Sequence, residues 1–372
     1  MAADHANGDD SSDDGYLTEP ELNVLREVTE ALIAPGKGIL SADENPFFLG
    51  TRMINANVDD TPDNRSRFYE LVSTVSPTIA AYISGVALNY EAINMRTDDG
   101  VFLTNFIESR GLLPGVRLDK GVRLIPGFNE EYLTLGLDDL EIRCEFYKRI
   151  GCFFAKWRCV FKVDDQRPTI PTIIDNSYNQ ARFATICQQN GMVPIIQADL
   201  LTDGGHNLHT TQRALEDTLT ILFNTLANHK VYLDAMLLEL SLVTKADCCR
   251  ERFSYQQNAL ATLETIQKKV PSIVPGILFL SGNLSPLDTL STLNAMNRSD
   301  TRKPWALTFS FGRSMMNSVL KIWNAKDSNV PFAQKELLRL CKASSEAATG
   351  NFCGCLDTEV NAQSLFVANH VL

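Results

Sequence analysis

Eight short apolar runs separated by amphipathic stretches predict an α/β fold, a closed (β/α)8 barrel. The runs begin near Ile39, Ile83, Leu113, Phe153, Val193, Leu233, Gly276 and Ala306. Their spacing of about 30 to 45 residues leaves room for a loop and a crossover helix in each unit. A doubly wound sheet usually has fewer strands. Its dinucleotide fingerprint is also missing, because Ser41-Ala42-Asp43-Glu44-Asn45-Pro46 after the first run contains no glycine. A barrel of this kind carries its site at the C-terminal ends of the strands.

Along the chain, residues 1–15 are acidic and polar, with Asp4, Asp9, Asp10, Asp13 and Asp14. They lack the basic start and apolar centre of a signal peptide and read as a disordered acidic tail. The barrel is expected over residues 16–345. Thr18-x-x-Glu21 is a capping-box signature, and Pro20 fits a first helical turn. Among the intervening helices, Leu215, Leu219, Leu222 and Leu226 share one face, and Leu260, Leu263 and Ile266 share another. Gly151 stops a helix over 139–150.

With 44% hydrophobic and 21% charged residues, the chain has the composition of a soluble globular protein. A net charge of -11 argues against nucleic acid or an anionic membrane as partner. No apolar run is long enough to span a membrane. The nine cysteines, an odd number without a secretion signal, are expected as reduced thiols in the cytoplasm. No second pair at zinc spacing accompanies Cys248 and Cys249 or Cys353 and Cys355. His206 and His209 sit in a Gly-Asp-rich stretch and read as solvated loop residues. No metal site and no cofactor are expected.

The candidate site residues lie at the strand ends. The first strand ends in Asp43-Glu44, and paired carboxylates at a barrel mouth suit proton transfer. The third ends in Arg117, Asp119 and Lys120. Lys156 and Arg158 on the fourth point the same way, because strand side chains alternate. The seventh and eighth strands end in Ser281-Gly282 and Ser310-Phe311-Gly312-Arg313, loops that in barrels often hold phosphate. Arg313 can supply a bidentate donor. Lys156 and Glu239 are also isolated charges within apolar runs, which a protein keeps only with a partner or a task.

Longer motifs carry a family resemblance. They are Ala34-Pro35-Gly36-Lys37-Gly38-Ile39-Leu40-Ser41-Ala42-Asp43-Glu44, Phe154-Ala155-Lys156-Trp157-Arg158-Cys159, Ile186-Cys187-Gln188-Gln189-Asn190-Gly191, Phe279-Leu280-Ser281-Gly282, residues 303–313 and Asn369-His370. On these the chain resembles class I fructose-bisphosphate aldolase over nearly its whole length after the acidic tail. The resemblance implies a cytosolic TIM barrel, typically a homotetramer, that cleaves fructose 1,6-bisphosphate to glyceraldehyde 3-phosphate and dihydroxyacetone phosphate without metal. It implies a C-terminal tail, residues 346–372, over the active-site face. In the family, a neutral lysine on strand six forms an imine that serves as electron sink. A strand-one Asp and a strand-five Glu move protons, and a strand-four Lys lowers the nucleophile's pKa by repulsion. Asp43 and Lys156 match two of these roles. Ser281, Gly282, Ser310, Gly312 and Arg313 match one phosphate site, and Arg52 and Arg158 match substrate-side cations.

The departures fall on the chemistry. Glu239 stands at the position of the imine lysine, and Gln197 at that of the acid/base Glu. Arg117 replaces a lysine, keeping the charge with a different geometry. Asn45-Pro46-Phe47-Phe48 replaces serines of the second phosphate site, and Leu372 stands where a catalytic Tyr is used. A carboxylate cannot form an imine, and loss of an essential nucleophile costs on the order of a million-fold in turnover. The expectation is a catalytically inactive or severely impaired member in which Glu239 and Lys156 form a buried ion pair. Residual binding of a phosphorylated sugar or triose phosphate, or a scaffold role in a homo-tetramer or a hetero-tetramer with a catalytic aldolase, would remain. The alternative is an active aldolase with Lys156 as relocated imine residue, Lys245 being a poorer substitute.

Overall fold

A computed structural model describes residues 15–97, 99–356, 362–368 and 370–371. The expected acidic tail, apart from Gly15, lies outside the described residues, as do Asn369 and Leu372. Eight parallel strands close into a barrel: β1 (Gly38–Ala42), β2 (Ile83–Leu88), β3 (Leu113–Arg117), β4 (Phe154–Phe161), β5 (Val193–Leu200), β6 (Leu237–Ser241), β7 (Gly276–Leu280) and β8 (Ala306–Phe311). Closure is by Ile39 opposite Ser310 and Leu40 opposite Phe311. A small hairpin, Val122–Leu124 with Tyr132–Thr134, interrupts the connection from β3 to β4.

Helices follow the strands: α1 (Glu19–Leu32) precedes β1, and α2 (Pro46–Asn55) and α3 (Pro62–Ser73) follow it. Then come α4 (Leu103–Ser109), α5 (Leu140–Arg149), α6 (Ile170–Gln189), α7 (Leu208–Asn228), α8 (Tyr255–Lys269), α9 (Pro286–Arg298), α10 (Arg313–Trp323) and α11 (Val330–Ala348). The capping box forms at Thr18 and Glu21. Gly151 ends the α5 turn at φ +97, a conformation that costs glycine little.

The period of two along each strand sorts the barrel interior into levels. Ile39, Phe154, Ile195, Leu237 and Leu278 make an apolar floor, against which Leu22, Leu25 and Leu32 of α1 pack. Gly115 makes room for that floor, since a Cβ there would stand 2.2 Å from the Phe154 ring. Two residues further along their strands come Ser41, Lys156, Gln197 and Glu239, with Ser310 of β8 beside Ser41, all buried. Two further still come Asp43, Arg158 and Asp199 at the mouth.

The structure corrects four readings. The sixth strand begins at Leu237, not Leu233. Residues Leu233–Ala235 form a 3-10 turn, fixed by Gln188 Nε2 donating to the Tyr232 and Ala235 carbonyls at 2.8 and 3.1 Å. Leu260 does not share the buried face of Leu263 and Ile266 but is 56% exposed. Two steps of three residues rotate about 120° round a helix, so Ala259 takes its place. The last helix runs to Ala348, past the expected boundary at 345. His206 is buried rather than solvated, and His209 lies on α7.

Candidate active site

At the centre of the barrel, Lys156 Nζ lies 2.8 Å from Asp43 Oδ2 and 3.0 Å from Glu239 Oε1. It also donates to Ser41 Oγ at 3.0 Å and Ser310 Oγ at 3.3 Å. Lys156 and Glu239 are 2% and 0% exposed, so the ion pair is fully desolvated. Burial alone would lower the lysine's pKa, but Asp43 and Glu239 more than offset this and raise it. Glu239 shares its one cation with Asp43. Burial pushes its carboxyl up to about 7 despite the attraction of Lys156. Neither Glu239 oxygen has a hydrogen-bond partner in good alignment among the described residues.

Nearer solvent, each cation has its own carboxylate or carbonyl. Arg117 pairs with Asp119 at 2.7 Å, and Arg158 with Asp199 at 2.7 Å. Burial works against charge on Asp199, but Arg158 and Ser241 hold its pKa below the ordinary value. Arg313 has no carboxylate at ion-pair distance among the described residues. It donates to the Leu365 carbonyl at 2.9 Å and the Gly282 carbonyl at 3.0 Å. Burial lowers its pKa.

The C-terminal segment lies over this mouth. Arg158 donates to the His370 carbonyl, and its Nη2 lies 3.1 Å from His370 Nδ1. The His370 ring stacks on Phe48 at 4.3 Å between centroids. Burial pushes His370 down to about 4, so its ring is neutral at pH 7 and Nδ1 can accept. Glu44 is buried, which opposes its charge, but Arg52 at 2.7 Å and His370 bring it down to about 2.

A cavity of about 90 Å³ at the barrel mouth is lined by Asp43, Arg117, Lys156, Arg158, Gln197, Glu239, Ser281, Gly282, Ser310, Gly312 and Arg313. Arg52 is the exception among the expected site residues. It turns to a lateral cavity and donates to Asn317. Ser310 sits deep, beside Ser41 at 2.7 Å, rather than at the rim. Asp199 and Ser41 were not singled out from the sequence. The alternation that aligns Lys156 with Arg158 also aligns Gln197 with Asp199 and Ser41 with Asp43. Lys245 is turned away and donates to the Cys249 carbonyl at 2.7 Å. Among the described residues no group of three or more His, Cys, Asp or Glu side chains could hold a metal ion.

The fold and cavity define a (β/α)8 barrel with a polar mouth at its C-terminal strand ends, where Arg117, Lys156, Arg158 and Arg313 meet Asp43, Glu44, Asp199 and Glu239. The family model for class I fructose-bisphosphate aldolase matches residues 24–372. Fructose-bisphosphate aldolase of Schistosoma mansoni is 45% identical over 355 residues, covering 95% of this chain and 98% of that protein. The Echinococcus multilocularis fructose-bisphosphate aldolase is 44% identical with the same coverage. The solved Plasmodium falciparum fructose-bisphosphate aldolase, crystallised with TRAP and a small-molecule inhibitor, superposes with a TM-score of 0.89 at 34% identity. It covers 91% of this chain and 98% of its own. The chain belongs to the class I fructose-bisphosphate aldolase family, a family of glycolytic lyases.

Proposed function

We propose that this chain binds phosphorylated sugars at its barrel mouth but does not carry out aldol cleavage, or does so only vestigially. The observation that carries the reading is Glu239, which stands at the imine-lysine position and is ion-paired with Lys156. Imine formation needs a neutral amine with a free lone pair. Among the described residues, Lys156 is the only lysine lining the mouth cavity, and two carboxylates hold it protonated. Gln197 can neither take nor give the proton that the family's Glu moves. Ser281, Gly282, Gly312 and Arg313 supply a phosphate cradle, with Arg117 and Arg158 as further cations. Arg52 is a less direct contributor, because it faces the lateral cavity.

Borohydride trapping with dihydroxyacetone phosphate, followed by peptide mass mapping, tests this. The expected outcome is no adduct, alongside measurable saturable binding of the same ligand and a positive aldolase control. An adduct on Lys156, abolished by Lys156→Ala and kept by Glu239→Ala, would establish the relocated imine and overturn the reading. We infer for the assembly a cytoplasmic tetramer, either of this chain alone or mixed with a catalytic aldolase. Native mass spectrometry of the co-expressed pair separates the two.

A further inference from the structure

A second cavity lies to the side of the mouth, between the C-terminal half of α2 and one face of α10. Its volume is about 250 Å³, and Arg52, Arg313, Ser314, Ser318 and Lys321 help line it. Residues 314, 318 and 321 fall on one face of a helix, so α10 turns a polar stripe towards it. Phe366 and Val367 line both this cavity and the pocket beside His370, so the C-terminal segment stands between the two.

Several donors of the cavity lack acceptors. Ser314 and Ser318 are 6% and 7% exposed, yet neither hydroxyl has a hydrogen-bond partner among the described residues. Ser318 is far enough into α10 to bond back to the Ser314 carbonyl, as Ser344 does to Leu340 in α11, while Ser314 sits in the first turn. Arg52 Nε is likewise buried without a partner, while its other nitrogens reach Asn317 and Glu44. Lys321 is exposed at the rim and has no ion pair among the described residues. No Asp or Glu among the described residues lines the cavity, although the chain carries a net charge of -11. Arg313 also lines the mouth and already donates to two carbonyls, so two cationic side chains, Arg52 and Lys321, and two orphan hydroxyls are left to match the oxygens of a tetrahedral anion.

We propose that this cavity is a second anion site that takes a phosphate group, either free or as a small monoester. Arg52 Nε, Ser314 Oγ and Ser318 Oγ donate to it, and Lys321 closes the rim. The site shares Arg313 as a wall with the mouth but takes its donors from other residues, and it does not depend on the mouth's chemistry.

Isothermal titration of the full chain at low salt, with inorganic phosphate and in parallel with glycerol 3-phosphate, tests it. Two classes of site are expected for the better probe. Lys321→Ala, at an exposed position that does not threaten the fold, should weaken one class, and adding Ser318→Val should weaken that class roughly tenfold or more. Ser281→Leu at the mouth should remove only the other class. Tighter binding of phosphate than of glycerol 3-phosphate assigns the site to the free anion, and the reverse order to a monoester. A single class, lost in Ser281→Leu and unchanged by Lys321→Ala and Ser318→Val, would refute the lateral site. Binding that survives Ser281→Leu but falls with Ser318→Val would uphold it and instead sink the mouth as the binding site.

Discussion

Lys156 meets two carboxylates at 2.8 and 3.0 Å with no water between them, and one cation cannot satisfy both. The strain falls on Glu239, whose carboxyl rises to about 7 from an ordinary 4.5. A folded pKa above the unfolded one means that the folded state binds the proton more tightly. The stability this confers is complete below pH 4.5 and is lost as pH rises through 7. Wild type should therefore lose stability relative to Glu239→Gln between about pH 5 and pH 8, by about 3 kcal/mol at most. Urea melts of the two proteins at those pH values measure it, and a constant difference would mean that Glu239 stays charged throughout. The same residue permits a test by restoration. Glu239→Lys would set two lysines against each other, lower an amine pKa by repulsion and recreate an imine donor. The expected outcome is a borohydride-trappable adduct at residue 239 with slow turnover. Adding Gln197→Glu should then raise kcat by about 10² to 10⁴, the usual worth of a placed general acid or base. No adduct in the double variant would show that more of the site has diverged than these two positions.

Helix α8 turns one leucine inward and another outward. Leu263 is 3% exposed and Leu260 56% exposed, although both are leucines in the same amphipathic stretch. Leu263→Ala should cost about 2 to 5 kcal/mol by denaturant melt, as a buried leucine does. Leu260→Ala should lie within about 0.5 kcal/mol of wild type, as surface changes do. Equal effects would move the helix face. Period and spacing made the eight units legible from the chain, because a buried parallel strand must be apolar and its crossover helix amphipathic. The start of β6 was not legible, since Leu233 and Ala235 flank a single charge, Asp234, much as the leucines of the strand flank Glu239. The 3-10 turn at 233–235 depends on Gln188, more than forty residues away. The mouth was legible where it follows strand alternation, as with Lys156 and Arg158. The lateral turn of Arg52 was not, because it is set by Asn317, remote in sequence, together with the nearby Glu44.

Across the whole molecule, charge is arranged so that an acidic chain gathers four cations at its mouth and sets four carboxylates, Asp43, Glu44, Asp199 and Glu239, among them. Arg117, Lys156 and Arg158 are each closed off by a carboxylate. Arg313 alone among the mouth cations lacks one among the described residues and is capped by the Leu365 carbonyl instead. The same C-terminal segment lays the His370 carbonyl on Arg158. A mouth cavity of about 90 Å³ is well below the roughly 300 to 1,000 Å³ typical of small-molecule sites. The segment would therefore compete for the phosphate cradle proposed above, and a ligand would have to displace its carbonyls to reach both guanidiniums. Deleting residues 362–372 should leave the barrel folded, because the core is closed by α1 and the strand-flanking helices. It should tighten phosphate binding at the mouth about tenfold, the worth of one charge-assisted hydrogen bond no longer contested. Titration of the truncated chain in a Lys321→Ala, Ser318→Val background isolates the mouth. Weaker binding there would mean that the segment is a wall of the ligand site, with His370 and Leu365 contributing contacts rather than blocking them.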